Sequence, residues 1–428
     1  MNFDLTLEKP NGINQIIRFD NETNRFYDSL TGVLLLSDQL VNDWCRYSPY
    51  GKIDYNNINL LYIMMGLKCN YDCEYCHQKN IRSNTIASDF TPKKVQPFIE
   101  NLSRLGVKPG RIAIWGGEPL VYWKTLKLLL PALRELYPDV NINFPTNGSL
   151  LSEEIVSFLR KYRIGYFISY DGRSSARGKS ILDDETVVRA LRAERGVAIM
   201  PTWNKKSIPI LAIRKEFQEK NIKLNHIALY AVARCNSYNR ALAGEMEIPS
   251  ERRSVIEKYL YSKLFECRLN PDGESRLYKG FLGIYLDTLK KYRLGIGIDS
   301  RDITLCANSW LGDITIDADG KVLNCMNAPM LSLGNFWNKN NNKPQDLSQV
   351  FQPPIFKEKC FMCPYVSACK GGCPLIHDED SPEFLVSCKN LQVMAIPLFK
   401  LSVEELFGGR LIKIVRSADG LLLKSFDY

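Results

Sequence analysis

The sequence predicts an α/β protein, a partial barrel of parallel strands with a cysteine-rich segment toward its C-terminus. Three observations predict it. Apolar runs of strand length alternate with helix-like segments between residues 59 and 231. Three cysteines crowd into "KCNYDCEYCHQ", directly after the first of those runs, and seven more fall between residues 306 and 388. A chain of 428 residues, 45% of them hydrophobic, is long enough for one large domain plus a smaller one and buries a sizeable core.

Taken in order, residues 1–58 read as a β-hairpin ("IIRFDNETNRFYDSLTGVLLL") followed by a short helix around 37–47, an extension able to dock a peptide. Over 59–235 come "NLLYIMMGL", "GRIAIWGG", "NINFPTNG", "IGYFISYDG", "GVAIMPTWN" and "NHIALYAVA", six strands with helices near 92–105, 121–136, 152–162, 184–194 and 207–220. Such alternation implies right-handed crossovers and a parallel sheet. By analogy with the full barrel, chemistry belongs at the strand C-terminal ends. Residues 236–300 read as a mostly helical linker, 301–390 as a cysteine-rich domain, and 391–428 as a helix and a hairpin turning at Ser417-Ala418-Asp419-Gly420.

Composition narrows the function. The formal charge of +9 is spread over scattered pairs such as Lys93-Lys94 and Arg252-Arg253, which read as solvated helix faces. No aromatic-interleaved basic stripe is present, so no nucleic-acid partner is expected; an acidic peptide stays open. The opening "MNFDLTLEKPNG" is interrupted by Asp4 and Pro10, and no apolar run looks long enough to span a membrane. A cytoplasmic protein without membrane contact is expected. In a reducing compartment, thirteen clustered cysteines argue for metal or cluster ligation over disulfides.

Cys69, Cys73 and Cys76 form C-x3-C-x2-C with no fourth cysteine nearby. Structural zinc prefers four protein ligands. The following "HQKNIRSN" offers His77, whose position beside Cys76 is poor geometry. A [4Fe-4S] cube on three thiolates instead leaves one iron open to chelate a small molecule. With this trio on the loop after the first barrel strand, the chain resembles the radical S-adenosylmethionine (SAM) enzymes.

That resemblance implies a cluster that binds SAM, with Tyr75 beside the adenine and "GGEP" (Gly116, Gly117, Glu118, Pro119) at the SAM amino group. After the third strand "TNG" brings Asn147 to the cofactor site. After the fourth, "SYDG" brings Ser169 and Asp171 toward the ribose or methionine part. Taken singly, these are also ordinary features: paired glycines make loops, Asn-Gly and Asp-Gly are common turn pairs, and Tyr75 fits loop packing.

The second field runs C-x13-G-x4-C from Cys306 through Gly320 to Cys325, then C-x2-C-x5-C-x3-C-x14-C over Cys360, Cys363, Cys369, Cys373 and Cys388. These spacings resemble the SPASM extension of peptide and sulfatase maturases. The resemblance implies two auxiliary [4Fe-4S] clusters, an outer one on Cys360, Cys363, Cys369 and Cys388 and an inner one on Cys306, Cys325 and Cys373. The inner set is one thiolate short. Its fourth ligand is absent, exchangeable, or drawn from Cys45, Cys235 or Cys267, each of which also reads as a buried free thiol.

The activity so implied is that of an oxidoreductase that makes a 5'-deoxyadenosyl radical from SAM and takes a hydrogen atom from a ribosomally made precursor peptide (RiPP). The auxiliary clusters accept or relay the electron released as a new bond closes. A small donor such as flavodoxin or ferredoxin is the expected reductant. A crosslink between aromatic side chains, broadly similar to those of cyclophane- and darobactin-type maturases, is favoured over a thioether. The alternative is an anaerobic sulfatase-maturating enzyme forming formylglycine, whose relatives carry an aspartate where this chain has Met326. An iron-sulfur electron carrier is a further, nonenzymatic reading, but it needs no barrel with SAM motifs. Three histidines, His77, His226 and His377, leave the chain poor in the usual general bases.

Overall fold

The computed structural model describes residues 1–36, 56, 58–173, 176–207, 209–229, 231–233, 235, 238, 240–270, 273–296, 313–338 and 357–427. The helix expected around 37–47, Cys45 and Cys306 lie outside them. In chain order the first elements are β1 (Asn2–Glu8), β2 (Asn14–Asp20), β3 (Arg25–Asp28), β4 (Ile58–Met64), α1 (Val95–Arg104), β5 (Pro109–Trp115), α2 (Trp123–Leu136), β6 (Asn141–Thr146) and α3 (Glu153–Lys161). Next come β7 (Ile164–Ile168), α4 (Glu185–Arg192), β8 (Val197–Ile199), β9 (Thr202–Trp203), α5 (Ile210–Glu219), β10 (Leu224–Ile227), β11 (Ala231–Val232), α6 (Ala243–Met246), α7 (Ser250–Leu269) and α8 (Lys279–Leu294). The rest are β12 (Asp313–Ile316), β13 (Lys321–Leu323), β14 (Ser332–Asn335), α9 (Glu358–Phe361), α10 (Val366–Cys369), α11 (Pro382–Phe407), β15 (Arg410–Arg416) and β16 (Leu422–Ser425).

These elements gather into two compact units, one from Met1–Ser48, Glu247–Leu305 and Ser348–Tyr428, the other from Pro49–Met246 and Cys306–Leu347. The units interleave segments that the sequence reading kept in linear order.

The second unit holds a nine-stranded sheet ordered β10-β8-β7-β6-β5-β4-β12-β13-β14. The six expected strands are here, and each neighbouring pair from β4 to β10 runs parallel. Ile112 and Ile114 in β5 and Ile142 and Phe144 in β6 are buried, as the inner strands of a helix-covered parallel sheet require. The intervening helices turn apolar stripes inward: Val95, Phe98 and Leu102 on α1, and Leu126, Leu129, Leu130 and Leu133 on α2. At α3 the Ser152 hydroxyl accepts the Ile155 N–H, Glu153 and Glu154 open the helix, and Arg160 and Lys161 close it.

Two features depart from expectation. The fifth and sixth strands each break, and their second halves, β9 and β11, pair parallel in a sheet of their own. Pro201 stands between β8 and β9 and has no N–H to continue a ladder. In addition β12 pairs parallel with β4, Asp313 opposite Leu60 through Ile316 opposite Ile63, and β13 and β14 follow antiparallel. The sequence showed little periodic pattern over 301–390, yet part of it covers the edge that β4 would leave open.

In the first unit, β16-β15-β1-β2-β3 form a five-stranded antiparallel sheet. The two hairpins read at opposite ends of the sequence are therefore one sheet, joined by β1, which the sequence reading left unassigned. Phe3, Leu5 and Leu7 of β1 are buried at every second position. Below the sheet, α11 packs against α7, α8 and β15, so the segment read as a linker supplies helices to this unit. The boundary drawn at residue 390 falls inside α11, which carries Cys388 within it.

One expectation needs correction. Helix α11 is long and apolar enough by length and composition to cross a membrane, with a mean hydropathy of 1.3 over its most apolar stretch. That stretch is 78% buried inside the protein, which is the pattern of a core helix.

Candidate functional site

The cluster loop leaves β4 and is fixed by close backbone approaches. Gly117 N–H donates to the Gly66 carbonyl at 3.0 Å and Glu118 N–H to the Lys68 carbonyl at 2.9 Å. A Cβ on Gly117 would lie 2.3 Å from the Lys68 carbonyl oxygen, and one on Gly116 would lie 2.5 Å from that of Gly66. The paired glycines thus let the end of β5 press against the residues leading into Cys69. From the other side Tyr122 accepts the Lys68 N–H at 3.0 Å and donates to Asp89 at 2.9 Å.

Glu118 is 1% exposed and joins two strand ends. One carboxylate oxygen accepts the Leu120 N–H at 3.0 Å and the Thr146 hydroxyl at 2.8 Å, and the other accepts the Asn147 N–H at 2.6 Å. Burial raises its pKa, opposed by those same hydrogen bonds. Asn147 in turn donates to Asn70 at 2.8 Å, inside the cysteine loop, and accepts from Ser149. The Ser169 N–H donates to the Thr146 carbonyl at 2.8 Å. "GGEP", "TNG" and the start of "SYDG" therefore form one hydrogen-bonded rim at the ends of β5, β6 and β7.

Asp171 is buried and connected on both oxygens. One accepts from the Tyr75 hydroxyl and from Arg177 at 3.1 Å, the other from the Thr202 N–H at 2.7 Å. Arg177 also stands 5.5 Å from the centre of the Tyr75 ring and 3.9 Å from the Cys73 sulfur. The sequence reading missed Arg177. It lies in a turn-like stretch, "DGRSSARG", where no periodicity marks one arginine over another.

Each of the three sulfurs meets a hydrogen-bond donor. Cys69 accepts the Tyr71 N–H and Cys76 the Gln78 N–H, both at 3.4 Å, and Arg82 reaches Cys76 at 3.6 Å. Burial pushes the Cys73 thiol up to about 11 and raises Cys69, with Arg177 and Arg82 respectively opposing it. Such thiols ionise when a metal supplies the charge. Among the described residues no three His, Cys, Asp or Glu side chains converge as one metal ion requires. Beside the loop opens a cavity of about 900 Å³, lined by Asn70, Tyr71, Ser149 and Arg177 among others, in the size range of small-molecule sites.

The first unit gathers five cysteines of the second field, Cys360, Cys363, Cys369, Cys373 and Cys388. Cys360 is buried with Val366, Ile376 and Phe384, and Cys373 and Cys388 pack against that group. Cys360, Cys363, Cys369 and Cys388 lie within electrostatic reach of one another. Burial pushes Cys360 up to about 12 and raises Cys363 and Cys388. The turn from Cys369 to Cys373 runs through Lys370, Gly371 and Gly372, with φ of 60°, 74° and 71°, a left-handed run that the two glycines make accessible.

The hairpin between β2 and β3 holds this field in place. Buried Asn21 donates to the Phe361 and Cys363 carbonyls, each at 2.9 Å, and Asn24 accepts the Ser367 hydroxyl at 2.8 Å. Cys325 belongs to the other unit, where it is buried and accepts the Ala328 N–H at 3.3 Å. With Cys306 outside the described residues, the inner set rests on the sequence resemblance. Cys235 and Cys267 are buried thiols, as the sequence suggested.

Residues 63–200, from the end of β4 to just past β8, match the model of the Radical SAM superfamily. The chain carries a radical SAM domain. The radical SAM cyclopropyl synthase TigE of Paramaledivibacter caminithermalis is 26% identical over 128 residues, 27% of each chain. A GTP 3',8-cyclase of Staphylococcus carnosus is 27% identical over 192 residues, 40% of this chain and 54% of that one. The matches thus span about a quarter to a half of these relatives. The solved structure of native anSMEcpe with bound AdoMet and Kp18Cys peptide superposes with a TM-score of 0.55 at 20% identity, covering 81% of this chain and 99% of that one. The likeness in fold therefore extends well beyond the radical SAM domain.

Proposed function

We propose that the protein is a radical SAM peptide maturase with SPASM-type auxiliary clusters. It acts on a ribosomally made precursor peptide to install a crosslink, a carbon-carbon or ether cyclophane in preference to a thioether. The observation that carries the reading is the trio Cys69, Cys73 and Cys76 just past the C-terminal end of the first parallel strand, backed by a rim of strand-end turns and a separate, partly buried field of cysteines. A cluster with SAM bound to it supplies a 5'-deoxyadenosyl radical, able to take hydrogen from an unactivated C–H bond.

The chain's own residues bind and orient. Cys69, Cys73 and Cys76 hold the cluster, and Arg177 and Arg82 offset thiolate charge at Cys73 and Cys76. Tyr75, locked by Asp171, presents an aromatic face for the adenine. Gly116, Gly117, Asn147 and Ser169 offer backbone and side-chain polar groups to the rest of SAM, while Glu118 fixes the rim that carries them. Cys360, Cys363, Cys369 and Cys388 hold the outer auxiliary cluster, and Cys306, Cys325 and Cys373 the inner one. The structural likeness to anSMEcpe, solved with a peptide, supports a peptide substrate.

The same likeness accommodates formylglycine formation on a sulfatase equally well. Met326, which places no carboxylate after Cys325, favours the crosslinking reading. The test is co-expression with any small aromatic-rich peptide found to be encoded beside the gene, followed by mass spectrometry. The expected product is lighter by two hydrogens per crosslink. Formylglycine on a sulfatase, with no change in the peptide, would establish the alternative.

A further inference from the structure

Lys357 has no exposed surface, although lysine is almost never fully buried unless paired. Its ammonium group donates to the Cys373 carbonyl at 2.8 Å and stands 5.3 Å from the centre of the Phe384 ring. The hydrogen bond goes to a carbonyl and not to a carboxylate. Glu379, the acid nearest in electrostatic terms, already accepts the N–H groups of Glu358 at 2.8 Å and Lys359 at 2.7 Å.

Cysteine-bearing segments pack about this side chain: Phe384, the ring nearest the ammonium, is grouped with Cys360, Cys373 and Cys388. Burial lowers the Lys357 pKa, and the neighbouring Cys360, Cys373, Glu379 and Cys369 oppose that shift. Its backbone carbonyl accepts the Cys360 N–H at 3.0 Å, which anchors the residue at the start of α9. An unpaired buried cation costs several kcal/mol. A cube on four thiolates is net negative, and gains one more negative charge on reduction, so it is a partner of the required sign. The potential of such a cluster is set in part by nearby charge.

We infer that Lys357 is the fixed counter-charge of the outer auxiliary cluster and raises its reduction potential. The inference rests on the reading that Cys360, Cys363, Cys369 and Cys388 hold a cluster. Lys357 acts as a tuning residue, through the cluster, and touches no substrate.

The test is a redox titration followed by electron paramagnetic resonance on the fully reconstituted full-length chain. The outer cluster is identified as the signal that Cys360→Ala with Cys363→Ala removes. In Lys357→Met that signal should titrate at a lower potential than in wild type, while Lys357→Arg stays close to wild type. An unchanged potential in Lys357→Met at full iron content would overturn the inference. Should Lys357→Met fail to keep the cluster, retention in Lys357→Arg supports the charge requirement, whereas equal loss in both variants refutes it. If the cysteine pair removes neither signal nor iron, the cluster reading itself fails, an outcome distinct from an unshifted potential.

Discussion

Arg177 touches three parts of the proposed SAM site at once, the Cys73 sulfur, the Asp171 carboxylate and the Tyr75 ring. Its ion pair with Asp171 is largely buried, the two side chains being 13% and 1% exposed. Removing one partner of such a pair strands the other, at a cost on the order of 3–5 kcal/mol. Arg177→Met should therefore lower thermal stability, measured by circular dichroism under anaerobic conditions, and reduce 5'-deoxyadenosine formation, while Arg177→Lys should restore part of both. Gly117 calls for a different argument. The sequence places it against the SAM amino group, but the group that an added Cβ would strike is the Lys68 carbonyl, one residue before Cys69. Gly117→Val should thus lose cluster iron and SAM cleavage together. A variant with full iron and weakened SAM affinity would instead place the effect of the added side chain at the ligand and not at the cluster loop.

Among the elements, the β2–β3 hairpin has a task that its sequence does not announce. Asn21 spends its amide on two carbonyls of the Cys360–Cys363 loop. Asn21→Ala leaves both buried acceptors without that donor, a loss of about 1–3 kcal/mol. Iron should fall at the outer site, while SAM cleavage, which depends on the other unit, persists. Equal loss of SAM cleavage would contradict this division of labour. The barrel helices, by contrast, were legible because each carries an apolar stripe and several carry end signals such as Ser152 and Asp184. Strand β12 was not legible. "DITI" is four residues long, and what makes it a strand is the open edge of β4 beside it.

For the whole molecule, the three proposed cubes of four predict roughly twelve irons per reconstituted chain. Changing Cys69, Cys73 and Cys76 together to Ala should remove about a third of that iron and all SAM cleavage. Stoichiometric zinc with negligible iron after anaerobic purification would sink the proposal. The local signals that fix this much are short-range: cysteine spacing within a loop, alternation along a strand, an apolar stripe around a helix. They determined the α/β class, the six parallel strands, the trio at the first strand end and the grouping of Cys360 to Cys388. Contacts distant in sequence were decided by tertiary structure, because a residue's local pattern carries no information about which remote edge or charge it will meet. So it was the fold that joined the two terminal hairpins through β1, drew β12 onto β4, buried α11 as a core helix, set Arg177 between Asp171 and Cys73, and buried Lys357 against the Cys373 carbonyl.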